Sequence, residues 1–211
     1  MEYSLPESLP MDAIPPGTSL LIAGPSLTRK RELMLRLVDQ QTDEGTAVIT
    51  TKKSAGTVMQ QLDIPPESEG REYLRLIDCV TQQRGMGESE ETETTKYISS
   101  PRDLTGLSIK LSGVFQNLYQ QDVPTRVGLD SLSTFLMYHD LQRVYRMMHV
   151  LSGQIESAGW LGTFVIDSPS DRELEVLTQL VDGMIQTRDT DAGYEFRVRG
   201  FDRVNTEWTS Y

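Results

Sequence analysis

The chain has a single cysteine, Cys79, so no disulfide can form within it. A small buried side chain is the plain reading of that residue. Nowhere does it approach the roughly 20 apolar residues that a membrane span needs. Met1-Glu2-Tyr3-Ser4-Leu5-Pro6 lacks the basic and apolar regions of a secretory leader, so a cytoplasmic protein is expected. Lysine is scarce, five against fifteen arginines. Histidine is scarcer: His139 and His149 have no third ligand at metal spacing, which argues against a zinc centre. Acidic residues outnumber basic ones, 31 to 20, for a formal net charge of −11. Such a surface repels phosphate backbones, and no basic stripe with interleaved aromatics is present, so nucleic acid is disfavoured as a partner. No Gly-x-Ser-x-Gly elbow surrounds Ser131 or Ser133, so neither is marked as a nucleophile.

What is present is an alternation of strand-like and helix-like segments over 211 residues, read as one domain, 1–211, of α/β class with a mostly parallel sheet. Residues 1–17, with Pro6, Pro10, Pro15 and Pro16, form a lead-in. Strands are expected at 19–23, 46–50, 74–78, 126–130 and 162–167, and helices at 31–41, 54–62, 100–119, 140–157 and 170–180. The second helix stops before Pro65-Pro66. The third is expected to be capped by Ser100, with Asp103 in its first turn and Leu104, Leu107, Leu111 and Leu118 facing the core. Ser170-Asp171-Arg172-Glu173 is a capping box. Residues 183–188 and 194–199 read as an antiparallel hairpin at the C-terminal edge, with a last strand around Glu207-Trp208. Residues 79–99, with the acidic run Glu88 to Glu93, read as a flexible acidic loop or a segment that orders on a partner. Met147, Met148 and Trp160 read as packing residues, and Trp208 as packing or an edge contact.

The chemistry concentrates in two places. Gly24-Pro25-Ser26-Leu27-Thr28-Arg29-Lys30-Arg31 follows the first strand and opens a helix, the setting of a phosphate-binding loop. Gly24 and Lys30 fit the pattern Gly, four residues, Gly-Lys-Ser/Thr. Arg29 stands at the second glycine and Arg31 at the Mg²⁺-binding hydroxyl. About 100 residues on, the apolar strand Val127-Gly128-Leu129 ends in Asp130, as a Walker-B strand does, followed by Ser131-Leu132-Ser133. Three cations at a helix N-terminus oppose the helix dipole. Either they build an anion site with the free N–H groups, or they extend into solvent or pair with local acids.

Together these segments resemble the RecA-like ATPases of the KaiC type. The resemblance runs through Pro16 to Ile22, Glu44 to Ile49, Asp130 to Ser133 and Leu180 to Ile185. It extends to the KaiC-like proteins of haloarchaea, sometimes called HTR-like, whose acidic, lysine-poor composition is similar. It implies a three-layer αβα P-loop fold, with Gly24, Thr28, Arg29, Lys30 and Arg31 against a nucleotide, ATP or ADP, and Asp130 as the metal ligand. That family places a catalytic glutamate after its second strand; here the stretch is Thr50-Thr51-Lys52-Lys53-Ser54. With glycine, hydroxyl and glutamate all replaced, Mg²⁺ is expected to be weakly held or absent. The expected function is a catalytically degenerate regulatory, signalling or protein-interaction module. Its protein partner is unnamed, and a monomer or homodimer is expected rather than a hexamer. Two alternatives stand beside it. One is an active ATPase using the Thr28 hydroxyl, with Asp167 or Asp171 as base. The other is an interaction protein with no ligand. For Asp167 to Asp171, helix capping is the plain reading.

Overall fold

The computed structural model describes residues 2–6, 9, 11–39, 43–62, 72–83, 85, 90–191, 193–200 and 207–210. Eleven strands and six helices are found among them. A short hairpin, β1 (Tyr3–Ser4) with β2 (Ala13–Ile14), lies within the lead-in. The chain then runs β3 (Ser19–Gly24), α1 (Lys30–Val38), β4 (Gly45–Thr50), α2 (Ala55–Gln61), β5 (Leu74–Asp78), β6 (Thr95–Tyr97), α3 (Leu104–Gln120) and β7 (Thr125–Asp130). It continues through α4 (Leu132–Leu136), α5 (Leu141–Ala158), β8 (Leu161–Asp167), α6 (Asp171–Leu177), β9 (Gly183–Thr190), β10 (Gly193–Arg199) and β11 (Thr209–Ser210). Nine strands form one sheet in the order β11-β10-β9-β3-β8-β7-β4-β5-β6. From β9 to β6 all neighbours are parallel; β10 and β11 add an antiparallel edge.

The central strands are apolar on both faces, as a parallel sheet between two helix layers requires. Their alternation divides the core. Leu21, Ala23, Ala47, Ile49, Ile77, Leu129 and Phe164 face the layer of α3, α4 and α5. Leu20, Ile22, Val48, Leu76 and Val165 face α1 and α2. Gly128 sets how close α1 can come: a Cβ there would stand 2.4 Å from Met34 Sδ and 3.1 Å from Val38. Trp160 packs edge-on against Phe115, ring centroids 5.1 Å apart. Trp208 instead lies on the antiparallel edge between the guanidiniums of Arg188 and Arg197, at 4.1 and 4.7 Å from its ring centroid.

Several expectations need correction. Thr95–Tyr97, inside the stretch read as a loop, pairs with β5 as the edge strand β6. The cap of α3 is Asp103, whose side chain accepts from the Gly106 N–H at 2.8 Å; Ser100 lies outside the helix. A short helix, α4, follows Asp130, and β11 covers Thr209–Ser210 rather than Glu207-Trp208. The first helix ends at Val38, with Asp39 extended, short of the expected Gln41, and the second ends at Gln61, ahead of Pro65-Pro66 as expected. Glu88-Ser89 of the acidic run lies outside the described residues.

Arg126 joins the lead-in to the sheet. It is 1% exposed; its Nη1 donates to the Ser4 and Leu37 carbonyls at 2.9 and 3.0 Å, and its Nε and Nη2 to Glu44 at 2.5 and 3.2 Å. Removing one partner leaves a buried charge unanswered, so Arg126→Met is expected to cost about 3–5 kcal/mol. The Arg126→Met/Glu44→Met double variant is expected to lose far less than the sum of the single losses, as read by urea unfolding.

Candidate functional site

The carboxyl ends of four strands meet in register. Gly24 pairs with Asp167 across β3 and β8, Asp130 with Val165 across β7 and β8, and Thr50 with Asp130 across β4 and β7. In a doubly wound parallel sheet this edge is where ligands bind. Gly24 ends β3 where no side chain fits: a Cβ would lie 2.2 Å from Thr187 Oγ1 and 2.4 Å from the Thr187 carbonyl oxygen. The loop then passes through Leu27 and Arg29, both in the left-handed region at φ 66° and 53°. Such backbone costs on the order of 1–3 kcal/mol per non-glycine residue. Arg29 therefore takes up, against its own preference, a conformation that glycine adopts freely. Its guanidinium lies 4.9 Å from the Tyr194 ring centroid and 3.9 Å from Glu32.

The sequence-selected residues come together, but they face one another. Thr28 is buried, and its hydroxyl meets the Pro25 carbonyl at 2.9 Å and the Thr187 hydroxyl at 2.6 Å. Lys30, 3% exposed, has its Nζ 2.9 Å from Asp167 Oδ1 and 3.1 Å from Thr28 Oγ1, and also donates to the Pro25 carbonyl. Lys52 reaches the other oxygen of Asp167. Burial pushes the Asp167 carboxyl up, but hydrogen bonds and charge from Lys52 and Lys30 outweigh it and hold the group below the ordinary range. Burial also lowers the Lys30 ammonium, opposed by Asp167.

Arg31 and Asp130 form a second pair. Arg31 Nε donates to Asp130 Oδ2 at 2.8 Å, and its Nη1 to Gln61 Oε1 at 2.5 Å. Asp130 is 1% exposed; burial raises its carboxyl, and Arg31 and Lys52 pull it back. Three buried polar atoms here have no hydrogen-bond partner: Arg31 Nη2, Asp130 Oδ1 and Ser131 Oγ. Thr51 ties the β4 and β7 ends together, its hydroxyl donating to the Asp130 carbonyl at 2.9 Å and accepting from the Ser131 N–H at 2.9 Å. Among the described residues, no three His, Cys, Asp or Glu side chains gather as a metal ion would require.

Asp171 opens α6, where Ser170 and Glu173 complete the capping box. His139 accompanies the start of α5, its Nε2 3.1 Å from the Pro101 carbonyl. Sequence reasoning did not single out Thr187, Gln61 or Tyr194. Their signal is only in the tertiary pairing, since Thr187 lies 159 residues from its partner Thr28.

A parallel sheet of this order, with a Gly-to-Lys loop between β3 and α1 and an acid ending β7, defines a RecA-like α/β domain. The chain belongs to the family of unknown function DUF7504, whose description matches residues 17–187. Its fold is similar to that of a KaiC-like protein from the hyperthermophilic archaeon Pyrococcus horikoshii. That likeness has a TM-score of 0.64 at 11% identity and covers 99% of this chain and 92% of the other. At that identity it establishes the fold alone. No protein among those with curated descriptions matches the chain.

Asp167→Asn is expected to cost about 2–3 kcal/mol, less than for a fully buried pair because Asp167 and Lys52 keep some contact with water. The folded carboxyl lies below its unfolded value of 3.8, so its contribution is present above that pH and is lost as pH falls through the folded value. Acid unfolding monitored by circular dichroism is therefore expected to be shallower below pH 3.8 in Asp167→Asn than in the parent.

Proposed function

We propose that the protein is a non-hydrolysing RecA-like module with a regulatory or signalling role, whose phosphate-binding loop is neutralised by its own carboxylates. The observation that carries this reading is the Arg31–Asp130 pair. Arg31 holds the position of the hydroxyl that would bind Mg²⁺, and its guanidinium engages the acid that would share the metal. A Mg²⁺–nucleotide does not fit these residues as they stand. Lys52, in the stretch where the related ATPases place a glutamate, binds Asp167 and can supply no carboxylate base. Metal, base and positioning account for most of phosphoryl-transfer catalysis, each by several kcal/mol.

The reshaped-loop ATPase is disfavoured by the same contacts. The Thr28 hydroxyl is turned into the seam with Thr187, and both oxygens of Asp167 are held by lysines. The orphaned Arg31 Nη2 favours a ligand over none, since an unanswered buried donor is costly. ATP or ADP is the class these cations suit, held without Mg²⁺ and without turnover. With no nucleotide–metal contact to bridge subunits, a monomer or homodimer is the assembly expected.

Phosphate release from ATP with Mg²⁺ is expected to stay at the buffer rate for the parent and for Lys30→Ala alike. A Mg²⁺-dependent rate that Lys30→Ala abolishes would falsify the reading. In calorimetric titration, ATP affinity is expected to be unchanged by Mg²⁺ and to rise at least tenfold in Asp167→Asn, which removes the carboxylate charge that Lys30 and Lys52 share.

A further inference from the structure

On the face opposite α1 and α2, helices α3 and α5 run side by side but leave a long channel between them. It has two halves, 560 Å³ toward the helix N-termini and 610 Å³ toward their C-termini, and Ser112, Val150 and Gln154 line both. The 17 residues of α3 give the channel a length of roughly 25 Å, about that of a five-turn helix.

The two halves differ in charge. Among the described residues, no Asp, Glu, Lys or Arg lines the C-terminal half, in a chain of which 24% is charged. Its floor carries Phe115 and Trp160, and its rim the exposed Tyr119 and Val150, at 65% and 59% exposure. Depletion of charge together with aromatic enrichment marks the centre of protein interfaces. The N-terminal half is basic at its mouth: among the described residues, Arg102, Arg143 and Arg146 line it with one acid, Asp103, already engaged as the cap of α3, while Arg143 also lies 3.6 Å from Asp140 at the helix start. In a molecule of net charge −11, this concentration of positive charge is local and opposite in sign to the whole.

The walls suit close approach. Ser108, Ser112 and Ser157 turn their hydroxyls onto their own helix carbonyls at 2.8–2.9 Å, so covering them strands no hydrogen bond. Gly153 adds no side chain, and a Cβ there would meet nothing within 4 Å.

We propose that this channel docks an amphipathic helix of another protein, its apolar stripe in the charge-free half and acidic residues at one end against Arg102, Arg143 and Arg146. The apolar stripe supplies the buried area and the charges fix the direction of the helix. The site is separate from the loop at Gly24 to Arg31, so the proposal stands whether or not a nucleotide binds.

The test uses the full chain and a fluorescein-labelled 18-residue helical peptide with a leucine stripe and four glutamates at one end. Fluorescence anisotropy is expected to show saturable binding, weakened at least tenfold by Val150→Asp and by Arg143→Glu/Arg146→Glu. These positions are exposed, so the variants are expected to keep the parent's melting curve. A control peptide with lysines in place of the glutamates is expected to bind at least tenfold more weakly. Equal binding of both peptides, indifference to the variants or no saturable binding would overturn the proposal. So would sedimentation showing that the chain alone dimerises through this channel, with Val150→Asp dissolving the dimer.

Discussion

A strand covered by helices on both faces can carry a charge only at or beside its ends, and this constraint shapes the whole functional edge of the molecule. Three of the central strands, β5, β7 and β8, end in aspartate: Asp78, Asp130 and Asp167. Burial makes each dependent on a partner. Asp78 is answered by the N–H groups of Ala55, Val80 and Thr81 and by the Thr81 hydroxyl, all at 2.7–2.9 Å. It is a structural acid that fixes the turns after β4 and β5. Asp130 and Asp167 are answered by cations from α1 and from the turn after β4. The backbone scaffold of a P-loop domain is thus kept, while the charges that such a scaffold ordinarily directs outward toward a ligand are directed at one another.

The long elements were legible because their patterns are local. Apolar runs marked β3, β4, β5, β7 and β8, and the Leu104, Leu107, Leu111, Leu118 spacing marked α3. What escaped was either too short for a period or dependent on distant contacts. Thr95-Lys96-Tyr97 has no apolar alternation and becomes a strand only because β5 offers an open edge. The five residues of α4 cannot show a helical repeat. The β1–β2 pairing joins Tyr3 to Ile14 across a proline-rich stretch with no hairpin signature. At α3 the sequence marks Ser100 as the cap and Asp103 as a first-turn residue, and the geometry of the Asp103 carboxylate over Gly106 moves the start three residues on.

The site was legible in its parts and not in its wiring. The resemblance set Arg29 and Arg31 where the family has glycine and a hydroxyl, and left the stretch Thr50 to Ser54 without the family's glutamate. For Arg29, Lys30 and Arg31 at the helix start, pairing with acids nearby in sequence was one of the alternatives. The acids that Arg31 and Lys52 meet lie far away in sequence: Asp130 is 99 residues from Arg31, and Asp167 is 115 from Lys52. Only the strand order, which sets β8 between β3 and β7, brings them within reach. The channel between α3 and α5 was equally invisible, since it depends on two helices being held apart rather than on any motif.

The Arg31–Asp130 contact also bears on how such a chain can change over evolutionary time. Exchanging Arg31 for a small hydroxyl, taken alone, would bury an uncompensated carboxylate, and exchanging Asp130 alone would strand a guanidinium. Each single exchange therefore crosses a chain less stable than its parent. A relative that lacks the arginine should either lack the aspartate as well or answer it with another cation, a metal ion included, so the two states should be separated by a coupled change rather than by a gradient of intermediates.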